Sequence, residues 1–171
     1  GDWSSDVCSS DLFPASYKAE TLSFGLTPFV SCPAFEGYVI EDGASIVRTE
    51  DGTLLAGGGK VLVSLPRDFK GTSYTVPDGV ETISDYLFYK NTTITSVTLP
   101  ASLKKIGTAA FQGCTKLTSI ALPDGFTTLG EHAFDGCSGL KTVTFGQSLT
   151  AVPAYAFSNC SALTAVRSEE R

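Results

Sequence analysis

Phe88, Phe111, Phe134 and Phe157 follow one another at intervals of twenty-three residues, and this interval governs most apolar positions in the second half of the chain. Val76, Leu99, Leu122 and Phe145 make one column. Val80, Leu103, Phe126 and Leu149 make a second, Ile83, Ile106, Leu129 and Val152 a third, and Ile94, Leu117, Leu140 and Leu163 a fourth. A unit this short cannot enclose a core, so equivalent positions must bury against one another in a stack. The period therefore predicts a solenoid.

Within a unit, Leu117-x-x-Ile120-x-Leu122 alternates as a short strand does, and Pro123 follows where a strand must stop. Pro77 and Pro100 hold the same place. Strands recurring at one register across such long connections cannot be hairpin partners, so they are expected to align in a parallel sheet on one face. The return path passes Gly107 or Gly130, suited to a tight turn. Ala109-Ala110-Phe111 has room for one helical turn at most, too short to stand alone. The fold class expected is α/β and β-rich, with parallel strands on one face and turns or single helical turns on the other.

The unit Leu-x-x-Ile-x-Leu-Pro-x-x-Val-x-x-Ile-Gly-x-x-Ala-Phe-x-x-Cys resembles the BspA-like, treponemal-type leucine-rich repeat, and Leu117 to Leu140 matches it at nearly every defining position. The resemblance covers Tyr74 to Val166 as four repeats over 74–166, the last incomplete. It departs at Asn91 for Cys, at Ser84 and Pro153 for Gly, and at Gly146 for Pro. It implies a leucine-rich-repeat solenoid, extracellular or cell-surface display, and adhesion to host or neighbouring-cell proteins.

Upstream, Phe24-Gly25-x-x-Pro28-Phe29-x-x-Cys32-x-x-Phe35 copies the turn segment and Tyr38-x-Ile40 fits the strand, so 13–40 is read as a partial repeat. Residues 41–73 carry an insertion. Glu50-Asp51-Gly52 and Gly57-Gly58-Gly59 separate the apolar runs Ile46-Val47, Leu54-Leu55 and Val61-Leu62-Val63, which predicts a β-hairpin.

Both termini depart from this pattern. Residues 1–12, with Asp-Trp-Ser-Ser-Asp-Val-Cys-Ser-Ser-Asp-Leu after Gly1, resemble a translated adapter from short-read DNA libraries. Residues 167–171, Arg-Ser-Glu-Glu-Arg, resemble the same adapter read from the other strand. Cys8 to Leu12 and Arg167 to Arg171 can be encoded by reverse-complementary DNA. On this reading 13–166 is a window in a longer array, and extraneous segments stand outside the fold argument.

Setting those segments aside lowers the net charge from −6 to −3, thirteen acids against ten bases. Without a basic stripe, nucleic-acid binding is not expected. Thr142 to Val166 carries no charge, but Gln147, Asn159 and Pro153 interrupt it and its apolar residues fall on repeat positions. Membrane insertion is not expected. Cys114, Cys137 and Cys160 share one column, where they read as buried thiols acting as small hydrophobes rather than metal ligands. Parallel side-chain vectors argue against disulfides between them.

No enzyme chemistry emerges. His132 stands alone, without a second histidine to share a metal, and reads as an exposed turn residue. No Ser or Cys has a context that would activate it. Gly57-Gly58-Gly59-Lys60 lacks phosphate-loop spacing and opens onto a strand. Paired acids such as Glu41-Asp42 and Glu50-Asp51 flank turns and read as solvated. No catalytic, cofactor-binding or metal-binding residue is assigned.

The candidate protein-binding surface is the outward side of the strands: Ser96 and Thr98, Ser119 and Ala121, Thr142 and Thr144, with Lys141 beside them. A non-enzymatic surface or secreted protein that binds protein partners is the leading expectation. A passive spacer within a larger surface protein, or repeats appended to a secreted enzyme, are the alternatives.

Overall fold

The structure, a computed structural model, describes residues 37–39, 45–66 and 69–168. The adapter-like residues 1–12, most of the partial repeat read over 13–40, Cys32 and the Glu41-Asp42 pair lie outside them, as do residues 169–171. The chain divides into two units at Phe69 and Lys70.

The first unit contributes β1 (Gly37–Val39), β2 (Ser45–Arg48), β3 (Leu54–Ala56) and β4 (Val61–Ser64). Successive strands pair antiparallel, β1 with β2, β2 with β3 and β3 with β4. The turn into β3 is closed by Asp51, whose carboxylate accepts the Thr53 amide at 3.0 Å, while Gly52 N donates to Thr49 O. Leu54, Ala56 and Leu62 are fully buried.

The second unit is the repeat stack. Its strands are β5 (Ser73–Thr75), β6 (Thr82–Ile83), β7 (Ser96–Thr98), β8 (Lys105–Ile106), β9 (Ser119–Ala121), β10 (Thr128–Leu129), β11 (Thr142–Phe145) and β12 (Ala165–Ser168). They form parallel ladders on two sides of the coil. On one side the order is β12-β11-β9-β7-β5. On the other, β6, β8 and β10 pair in parallel through Ile83↔Ile106 and Ile106↔Leu129. This second ladder was not anticipated, because a two-residue strand has no alternation to read.

The large ladder runs in strict repeat register: Tyr74↔Val97, Ile120↔Val143 and Val143↔Val166. Tyr74, Val97, Ile120 and Val143 point inward and are buried, whereas Val166 on the last strand is 55% exposed. Pro77, Pro100 and Pro123 each turn the chain after a strand, their carbonyls accepting the amides of Val80, Leu103 and Phe126.

The return segments also stack by hydrogen bonding. Phe88, Phe111 and Phe134 donate their amides to Ala110, Ala133 and Ala156 of the following coil at 2.7–2.8 Å. Their rings lie parallel, centroids 4.6 Å apart for Phe88–Phe111 and 5.0 Å for Phe111–Phe134, and Phe157 continues the column at 5.3 Å. Phe88, Phe111 and Phe134 are fully buried, and each such ring adds about 2–3 kcal/mol of burial. Among the described residues there is no helix, and Ala109-Ala110-Phe111 is a plain turn. Ala109 has φ +53°, a left-handed value that a right-handed turn cannot accommodate.

Gly107 and Gly130 act differently from the tight-turn role their position suggests. Neither has a positive φ. A Cβ on Gly130 would overlap the backbone of Gly107 and Thr108, and one on Gly107 would sit 2.6 Å from Asp85 N. These glycines let one coil lie directly on the next. The left-handed positions fall elsewhere, at Tyr86, Ala109, His132 and Tyr155, and again at Lys90, Gly113, Gly136 and Asn159.

Candidate functional site

On the five-stranded side, Ser73, Ser96, Ser119 and Thr142 line up in one row. Thr75 and Thr98 stand opposite each other in the next row, as do Ala121 and Thr144. Ser96, Thr98, Ser119 and Ala121 are exposed, and Thr142 and Thr144 are half-buried. Strand alternation explains the outward direction: their neighbours Val97, Ile120 and Val143 fill the core.

Two kinds of hydroxyl lie near this face. Just before the strands, Thr95 donates to Thr72 O at 2.8 Å, Thr118 to Thr95 O at 3.2 Å and Thr164 to Lys141 O at 3.3 Å. Those hydroxyls tie coil to coil. The hydroxyls of Ser96, Thr98, Ser119, Thr142 and Thr144 make no hydrogen bond among the described residues. They form a donor and acceptor grid, interrupted at Ala121, with Lys141 exposed at its margin.

The cysteine column is a hydrogen-bonding ladder. Cys114, Cys137 and Cys160 donate from Sγ to the carbonyls of Phe88, Phe111 and Phe134 in the preceding coil, each at 3.1 Å. All three are free thiols. Where the first coil substitutes Asn91, its Oδ1 instead accepts the amides of Thr93 and Ile94 at 3.0 Å, closing the same turn. The thiols are therefore more than small hydrophobes.

The Cys114 thiol and burial both push Cys137 upward, far from the range in which a thiolate forms at neutral pH. Burial, then the neighbouring Cys137, raises Cys160 to about 11. Cys114 and Cys137 are buried and Cys160 is only half-buried, so Cys160 is expected to meet a disulfide reagent before the other two. In a chain with Cys8 and Cys32 replaced by Ser, its native-state rate at pH 7 should fall roughly 100-fold below that of the denatured chain. Mass-resolved labelling checks the order, and first reaction at Cys114 or Cys137 contradicts it.

On the turn side, Asp135 draws three coils together. Its Oδ1 accepts from Asn159 Nδ2 at 2.8 Å and its Oδ2 from Gln112 Nε2 at 2.9 Å, with His132 Nδ1 at 3.3 Å. The Asn159 amide foremost, then His132 and Gln112, hold its carboxyl below the usual range against the opposing effect of burial. The His132 side chain is 39% exposed, and its ring lies parallel to Tyr155 with centroids 5.1 Å apart. Among the described residues no group of His, Cys, Asp and Glu is placed to hold a metal ion. No helix among them is long and apolar enough to cross a membrane.

Sequence reasoning passed over the exposed aromatics of this side, Tyr86, Tyr89 and Tyr155. For Tyr86 and Tyr155 the variable pair between the repeat's Gly and its Ala-Phe was the available signal.

A family model described as the BspA type leucine rich repeat region matches residues 68–170 in six copies. Nothing among curated proteins matches the chain. Solved structures of other leucine-rich repeat proteins are similar, three of them as follows. A leucine-rich repeat protein from Eubacterium ventriosum is 31% identical with a TM-score of 0.64, over 71% of this chain and 32% of its own. A leucine rich cell surface protein from Faecalibacterium prausnitzii is 27% identical with a TM-score of 0.51, over 76% and 39%. The T. pallidum leucine rich repeat protein, 24% identical with a TM-score of 0.57 over 71% and 66%, shows the fold alone. The chain spans 32% and 39% of the length of the first two. Matched over most of its length by that family model, and folded as a parallel stack with the same repeat, the chain belongs to the BspA type leucine rich repeat family.

Proposed function

We infer that this chain is a non-enzymatic repeat protein, secreted or displayed at a cell surface, that binds protein partners through the outward side of β5, β7, β9 and β11. The observation that carries this reading is the set of solvent-facing hydroxyls that the fold does not use, standing in register beside others that it does. A row of rigidly spaced donors and acceptors on a sheet offers a pre-organised surface, and little ordering entropy opposes binding to it. Support for surface location comes from the F. prausnitzii relative, which is described as a cell surface protein. The partner expected is a protein on a host or neighbouring cell.

The test uses beads coated with the full chain, applied to an epithelial monolayer with and without prior trypsin treatment. Ala121 and Thr144 are opposite each other, so three like charges in this row would repel one another. The appropriate variant alternates sign: Thr98→Lys, Ala121→Glu and Thr144→Lys. Adhesion is expected to be trypsin-sensitive and to fall about tenfold or more in the variant. The melting temperature should stay within roughly 3 °C of the parent. Adhesion that survives these substitutions excludes this face, and the absence of adhesion by the parent favours a passive spacer.

A further inference from the structure

The large apolar side chains left exposed among the described residues are Val152, Val166 and three tyrosines, Tyr86, Tyr89 and Tyr155. All three tyrosines lie on the turn side of the stack, away from the strand residues discussed above. Tyr86, Ala109, His132 and Tyr155 occupy one register position in four successive coils, and all four have φ between 53° and 61°. Coil-to-coil bonds from Tyr86 N to Thr108 O and from Ala109 N to Glu131 O hold this path in place. Gly or Asn would meet that backbone at least cost, yet the chain places Tyr, His and Tyr there. Bulky residues held in this region are outliers that point toward use.

The rings form two groups. Tyr86 meets Tyr89 edge to face at 5.6 Å, with Lys90 Nζ 5.1 Å from the Tyr89 centroid. His132 and Tyr155 form the parallel pair at the other end. Gln112 and Asp135 lie on the same return segments, in the second and third coils, joined to each other and fixed further by Asn159. From the first coil to the fourth this face extends roughly 15 Å at one strand spacing per coil.

Aromatic rings on successive coils beside a fixed amide and carboxylate match the chemistry of a sugar chain. The C–H face of a pyranose stacks on an aromatic ring, and its adjacent hydroxyls pair with amide and carboxylate groups. An anionic ligand would meet the Asp135 carboxylate. We propose that the turn side, with Tyr86, Tyr89, His132 and Tyr155 as its rings and Gln112 and Asp135 beside them, binds a short neutral oligosaccharide. This site is separate from the strand face.

The probe is a glycan array of β-glucan, xylan, N-acetylglucosamine and neutral mucin-type oligosaccharides, followed by calorimetric titration of any that bind the full chain. The key variant is the double substitution Tyr86→Asn and Tyr155→Asn, which removes two rings while supplying a residue that tolerates the left-handed backbone. The melting temperature is expected to hold or rise while affinity falls roughly tenfold or more. The strand-face variant should retain saccharide binding. Failure of every glycan to bind overturns the proposal, as does binding that the double substitution leaves unchanged. Loss of trypsin-sensitive bead adhesion in the double variant, with no competition from the sugars, assigns the face to a protein partner instead and also overturns it.

Discussion

Phe111→Ala is expected to destabilise the repeat stack by about 3–5 kcal/mol, measured by urea unfolding, with a fall in melting temperature of roughly 6–20 °C. The Phe111 ring is fully buried and lies between Phe88 and Phe134 at 4.6 and 5.0 Å. Truncation would leave a ring-sized void at the middle of a one-dimensional core, and no neighbour can collapse into it without breaking register. Phe157 supplies the comparison. It is half-buried and has one ring neighbour, Phe134, at 5.3 Å. Phe157→Ala should therefore cost less than half as much. Equal losses at the two sites would show that the rings act one by one and not as a column.

The second large effect concerns a methyl group. Gly130→Ala is expected to cost about 3 kcal/mol, at the upper end for overpacking. The added Cβ would overlap the backbone of Gly107 and Thr108, which cannot rotate away as a side chain can. The same backbone is engaged between coils, through Gly107 N to Ile83 O and Gly130 N to Ile106 O, both at 2.9 Å. Pushing the coils apart would stretch these bonds. A Cβ on Gly125 would meet nothing within 4 Å, so Gly125→Ala should stay within roughly 0.5 kcal/mol of the parent. Denaturant midpoints for the pair test the close approach, and similar values at the two glycines would contradict it.

The sequence made the stack legible because burial repeats with the period. Ile83, Ile106, Ile94, Leu117, Leu140 and Leu103 fell in apolar columns, and each is fully buried. The parallel register followed from the spacing of Leu117-x-x-Ile120-x-Leu122, since strands so far apart in sequence cannot close as hairpins. Contacts between coils were less visible. A short strand such as Thr128–Leu129 has no alternation, and Tyr86, Ala109, His132 and Tyr155 share a left-handed backbone while spanning three residue types. The thiol bonds were hidden for a similar reason: the acceptors of Cys114, Cys137 and Cys160 are carbonyls twenty-six residues earlier. As for the candidate face, alternation gives the direction of Ser96, Thr98 and Ser119. It does not reveal that Thr95 and Thr118 use their hydroxyls within the fold while these do not.

The coils hydrogen-bond to one another at a fixed interval, and amide hydrogen exchange measures this directly. Residue-resolved exchange of the full chain should show slow amides recurring every twenty-three residues at Phe88, Phe111 and Phe134, each bonded to the next coil. Lys90, Gly113 and Gly136 should form a second such set, with the Phe111 and Gly113 amides among the slowest. Fast exchange at these six positions, or protection without that recurrence, would contradict the stacked solenoid.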